Sequence, residues 1–162
     1  MIDSGAQFFC GGELYFRQLD ELTITVSIAK KIADEDWTAY LEGTLALTRK
    51  VGLAANVSLI CCVHAYPNAR QRQVASDFMI KNYMREMERV AVITESTIVR
   101  GAMIAFSWIM PKLRVSAFGS DEPERAFEWL QQAGKFDALK AMSAWNEARA
   151  KLNIGRASLR PG

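Results

Sequence analysis

Residues 90–110, VAVITESTIVRGAMIAFSWIM, constrain the fold more than any other stretch of this chain. A short β-branched run ends in a polar turn, and the turn opens into a segment that is almost wholly apolar. The first part reads as a buried strand, because a continuous apolar run of strand length needs cover on both faces. The second part reads as a helix over residues 98–109, apolar nearly all round, and so packed on two sides or covering something outside the domain. Thr94, Glu95, Ser96 and Thr97 offer capping side chains between the two, and Pro111 ends the helix. The helix carries a single charge, Arg100, with Gly101 beside it.

The rest of the chain supplies elements that can bury this unit. Residues 1–12 are Gly-rich and aperiodic and read as a flexible arm. A strand begins over 13–17. Leu22, Ile24, Val26 and Ile28 alternate with Thr23, Thr25 and Ser27, the period of a half-buried strand. The polar gap at 18–21 makes the two an antiparallel hairpin. Trp37, Tyr40, Leu41, Thr44, Leu45 and Thr48 form one stripe of a helix over 33–50. Residues 57–63 read as a central strand. Pro67 opens a helix over 68–88 that carries Arg70 and Arg72 in its first turn and is expected to bury Val74 and Phe78. Residues 113–117 alternate as a last strand near an edge. Pro123 starts a helix with Ala126, Phe127, Trp129 and Leu130, and Gly134 closes it. A final helix over 136–152 places Ala141, Met142, Trp145 and Ala148 on one side. Residues 153–162 read as a disordered tail.

The expected class is therefore α/β. The sheet is mixed, mostly parallel and five-stranded, in the order β-β-α-β-α-β-α-β-α. Residues 13–132 form the domain, and 133–152 add a helix packed on the domain or in a dimer.

Composition excludes several classes. At 162 residues the chain is long enough for one domain with a proper core. A formal net charge of +2, with both signs mixed along the chain, gives no clustered basic face, so no nucleic acid is expected as a partner. The apolar run at 101–110 is about half of what spans a bilayer, so no transmembrane segment is expected. The first residues lack a signal-peptide pattern, and the expected location is cytoplasmic. Cys10, Cys61 and Cys62 are odd in number, and two are adjacent, which is no disulfide framework. They read as small buried side chains in a reducing compartment.

The element order, with particular residues, resembles the STAS domain and more closely its SpoIIAA-like branch. The matching residues are Asp36-Trp37 with Tyr40, the run from Thr94 to Trp108, then Pro111, Phe118 and Ala126, Trp129 and Leu130. The resemblance covers residues 13–132 and rests most on the Ser96-x-x-x-Arg100-Gly101-Ala102…Trp108 element. It implies a small cytoplasmic α/β protein that works by protein–protein regulation, or else by holding an apolar ligand or a membrane surface. It does not carry over the phosphorylatable serine of regulatory STAS proteins. That place reads Val63-His64-Ala65-Tyr66-Pro67-Asn68, with no serine or threonine.

The residues themselves offer few sites. His64, the only histidine, follows the carboxyl end of a central strand, where α/β sheets place their ligands. Cys62 and His64 alone are too few for a metal, so no metal and no cofactor is expected. The candidate binding residues are His64, Tyr66, Arg70, Arg72, Ser96, Arg100, Phe106 and Trp108. Arg100 reads first as a structural arginine bonded to turn carbonyls, and second as an anion ligand. Gly101 reads as a site of close helix–sheet approach. The leading expectation is a non-enzymatic module that binds a protein of unknown identity. The runner-up is a carrier for an apolar small molecule or lipid, and an enzyme comes third; a homodimer contact is an open option beside either.

Overall fold

The computed structural model describes residues 1–82, 87–109 and 112–155, with residues 106–109 described by backbone alone. Six strands form one sheet in chain order: β1 (Gln7–Phe9), β2 (Leu14–Leu19), β3 (Leu22–Ser27), β4 (Val57–Cys62), β5 (Arg89–Ile93) and β6 (Arg114–Phe118). β2 pairs antiparallel with both β1 and β3, and β3 to β6 run parallel. Five α-helices follow: α1 (Asp34–Val51), α2 (Ala69–Lys81), α3 (Thr97–Ile109), α4 (Pro123–Gln131) and α5 (Ala138–Lys151).

The α/β class and the mixed, mostly parallel sheet agree with the sequence reading, but the strand count does not. The sheet has six strands rather than five. Residues 7–9, read as part of a flexible arm, pair antiparallel with β2, and Asp3 bridges to Leu19. Three residues are too short to show a period. A turn at Cys10–Gly12, with Cys10, Gly11 and Gly12 all at positive φ, folds them back. The Gly-rich composition reflects that turn.

Each parallel crossover moves one strand along the sheet. Right-handed connections therefore set α1, α2 and α3 on one face. The chain then passes to the other face, where α4 lies over β4 to β6 and α5 over β2 and β3. The two faces are packed differently. Under α4 and α5 lies one continuous apolar cluster: Tyr15, Leu22, Ile24, Val26, Val57, Leu59 and Ile93 from the sheet meet Phe127, Leu130, Ala144, Trp145 and Ala148. Under α1 to α3 the sheet presents small polar side chains. Thr23 Oγ1 donates to Ser58 Oγ at 3.0 Å, and the Thr25 and Tyr40 hydroxyls lie 3.1 Å apart. These hydroxyls, which the alternation had assigned to a half-exposed face, are buried and satisfy one another.

The segment joining α4 to α5 is tied to the opposite end of the chain. The Glu21 and Lys135 backbones bond each other's side, Lys135 N–H donating to the Glu21 carboxylate at 2.8 Å and Glu21 N–H to the Lys135 carbonyl. Asn56 Nδ2 donates to the Ala133 carbonyl at 2.6 Å. Gly134 lies so close to β4 that an added Cβ would sit 2.5 Å from Val57 Cγ2. Gly134→Ala should therefore force α4 and β4 apart and cost about 1–3 kcal/mol. Urea unfolding measures this, and an unchanged midpoint would show that the linker yields freely. Beyond α5, Ile154 is buried in the core rather than part of a disordered tail, and residues 156–162 lie outside the described part.

Two helices differ from their sequence readings. α2 ends at Lys81 rather than near 88; residues 83–86 lie outside the described part, and Glu88 leads into β5. Gln71 is its buried residue, whereas Val74 is 41% exposed and Phe78 half-buried. The assigned apolar stripe was wrong because the first turn of α2, through Gln71, is anchored to the start of α1. In α3, a Cβ built on Gly101 meets nothing within 4 Å, so close helix–sheet approach does not explain that glycine.

Candidate functional site

The parallel strands all end at the same edge of the sheet. The loops after β3, β4, β5 and β6 gather there, and α1 to α4 begin there. This is the place where α/β sheets bind ligands, and the structure brings five of the sequence candidates to it: His64 and Tyr66 after β4, Ser96 and Arg100 after β5, and Arg70 in the first turn of α2.

Each has a definable job. His64 is exposed on the loop. Tyr66 turns inward. Its hydroxyl is buried without a hydrogen bond among the described residues, facing Thr94 and the Cys62 backbone, and burial pushes its phenol up. Tyr66 therefore packs across the ends of β4 and β5, with its hydroxyl closed off from solvent. Ser96 precedes α3 and accepts the Val99 N–H at 3.3 Å, while Thr94 Oγ1 accepts the Ser96 N–H at 3.1 Å. Its oxygen caps the helix. Ser96→Ala should cost about 1 kcal/mol of stability, read as a lower urea midpoint; no change would remove the capping role. The Arg100 guanidinium donates to the Thr94 carbonyl at 3.2 Å, which supports the structural reading of that residue.

The next turn closes the site on its far side. The Glu95 carboxylate accepts the Ser120 N–H, joining the β5 and β6 loops. Glu122 accepts the Gly119 N–H at 2.9 Å and contacts Arg125. The Gly119 N–H, with Arg125 adding to it, holds the Glu122 carboxyl below its usual range. These carboxylates serve turns.

The chemistry available is limited. Burial pushes both strand thiols up, Cys61 to about 12, so neither is a thiolate near neutral pH. Among the described residues no group of three or more His, Cys, Asp or Glu side chains is placed to hold a metal.

On α2, Arg70 is 81% exposed at its side chain and 3.5 Å from Asp34, and Arg72 donates to the Pro67 carbonyl at 2.7 Å. Arg72 thus turns back on the loop before α2, and Arg70 leans toward the start of α1. They continue onto the outer surface of α2, where Val74 and Ile80 are exposed, Ile80 to 71%. An open groove of about 430 Å³ runs between α1 and α2, lined by Glu42, Leu45, Arg49, Phe78 and Lys81. It lies toward the carboxyl end of α2, away from His64. The side chains of Phe106 and Trp108 lie outside the described part.

Sequence reasoning missed Gln71. It pairs with Asn68 in a reciprocal capping box, and its Nε2 donates to the Ile32 carbonyl at 2.8 Å and to Asp34 at 3.0 Å. The Trp37 indole donates to the Gln71 carbonyl at 2.8 Å. This one residue fixes α2 against α1. The Asn-x-x-Gln spacing before the helix was the available signal.

A family model described as SpoIIAA-like matches residues 23–131, more than half of the chain. No curated protein and no solved structure matches.

Proposed function

The chain belongs to the SpoIIAA-like family, and from that premise we propose that it is a non-enzymatic, cytoplasmic regulatory module that acts by binding a protein partner. The observation that carries this reading is the outer surface of α2. Val74 and Ile80 stand exposed there, with the Arg70 and Arg72 cations at one end and the open groove along its side. Val74 and Ile80 flank the exposed Gln73–Asp77 hydrogen bond, so this surface mixes apolar, basic and acidic groups, as a partner surface with a polar rim does.

The competing readings have less support. A lipid carrier calls for an enclosed apolar space, whereas this groove is open and edged by Glu42, Arg49 and Lys81. An enzyme calls for a nucleophile beside a base. Here the Ser96 oxygen caps a helix, the strand thiols are held protonated, and Arg100 serves a turn carbonyl. No described helix is long and apolar enough to cross a membrane. Three free cysteines among the described residues suit a reducing compartment. The loop after β4 offers no serine or threonine for phosphorylation, since residues 63–68 hold neither.

The test is affinity enrichment from host extract with the wild-type chain and with Arg70→Glu and Ile80→Asp. Both side chains are exposed, so both variants should fold. The reading expects a protein retained by the wild type and lost by both variants. Retention by all three would overturn this surface as the partner site.

A further inference from the structure

Among the described residues, no strand pairs with the outer side of the last strand of the sheet. β6 is the last strand, and α3 packs over it. The Arg114 N–H donates to the Glu88 carbonyl, and the Phe118 carbonyl accepts the Thr94 N–H. Main-chain groups of Arg114, Ser116 and Phe118 therefore face β5. Those of Val115 and Ala117, between them, point out along the open edge. Such an edge is a template for another strand.

Two further observations say which strand. The edge is charged unequally: Lys112 and Arg114 are exposed at its start, and Asp121 and Glu122 follow its end. A parallel partner strand from another copy would set like charges together. An antiparallel one sets the basic start against the acidic end, twice. Val115 then lies opposite Ala117 of the second copy, so all outward main-chain groups of both residues pair, and Lys112 falls beside Asp121. The helix above the edge fits the same arrangement. Ile98 is 83% exposed, and Gly101 and Ala102 are exposed next to it. Gly101 weakens a helix interior, yet an added Cβ there meets nothing within 4 Å among the described residues. Strand pairing at β6 would put both α3 helices on the same face of the joined sheet, with Ile98, Gly101 and Ala102 on the exposed side of each.

We propose that this chain forms a two-fold dimer through antiparallel pairing of β6 with β6 of a second copy, centred on Ser116, with both α3 helices on the same face of the joined sheet. The partner surface on α2 stays free on each copy.

Sedimentation equilibrium of the full chain tests this. The expected mass is twice the 18.1 kDa of one chain. Ala117→Pro removes an outward N–H that the monomer does not use, a position where edge strands accept proline, and it should give a monomer. Lys112→Glu with Arg114→Glu should raise the dissociation constant about tenfold, and adding Asp121→Lys should recover most of the loss. A wild type that stays monomeric at about 100 μM overturns the proposal, as does a dimer that both variants leave unchanged. If circular dichroism shows that Ala117→Pro fails to fold, the charge variants decide alone: an unchanged constant in Lys112→Glu with Arg114→Glu overturns it.

Discussion

A chain cut after Gln132 should lose cooperative folding, although the family match ends at residue 131. α5 lies beyond that match, yet it closes the core over β2 and β3. Ala141, Ala144, Trp145 and Ala148 are fully buried against Tyr15, Ile24 and Val26, and Leu152 and Ile154 extend the same cluster. Each large side chain of this kind contributes about 1.5–3 kcal/mol when buried. Removing α5 uncovers several at once, against a total stability of about 5–15 kcal/mol for a domain. The truncation also removes the Ala133 carbonyl from Asn56 and the Lys135 contacts from Glu21. A thermal melt followed by circular dichroism should show no cooperative transition. A truncated chain that melts as sharply as the full one would mean that α5 is an appendage.

The second large effect separates the two faces of the sheet. Trp145→Ala should cost about 3–5 kcal/mol, because the indole is 0% exposed and the cavity left behind is closed by strands on one side. Its Nε1 makes no hydrogen bond among the described residues, so Trp145→Phe should cost far less than Trp145→Ala. Trp37→Ala on the opposite face should cost only about 1–2 kcal/mol. That indole is half-buried and holds one hydrogen bond, to the Gln71 carbonyl, while stacking on Tyr40. Urea unfolding of the three variants gives the comparison. Equal losses at Trp145 and Trp37 would contradict the claim that the α4–α5 face carries the stability and the α1–α3 face is lightly packed.

Much of this fold is legible in the residues. The strand–turn–helix unit at 90–110 has one physical solution, and the period of 22–28 marks a strand. The Asp34-Glu35-Asp36 start and the Gly52 end, at φ +71°, bracket α1. Three features were hidden for separate reasons. β1 is too short for a period, and only its pairing with β2 makes it a strand. Thr23, Thr25 and Ser58 are polar in sequence but buried in fact, because Thr23 bonds Ser58 and Thr25 meets the Tyr40 hydroxyl of α1. Val74 looked like core because its spacing to Phe78 is helical, yet periodicity does not say which stripe meets the sheet. In the site, the loop positions of His64 and Ser96, and Arg100 in the first turn of α3, followed from strand ends. The inward turn of Tyr66 and the role of Gln71 depend on packing between segments distant in sequence, which no local pattern encodes.

The central claim is that the outer surface of α2, with Arg70 and Ile80, is where this protein meets its partner. The most direct measurement is calorimetric titration of the partner recovered by affinity enrichment into wild-type, Arg70→Glu and Ile80→Asp chains. The account predicts affinities weakened at least about tenfold in both variants, with unfolding midpoints unchanged. Equal affinity in all three chains would contradict it.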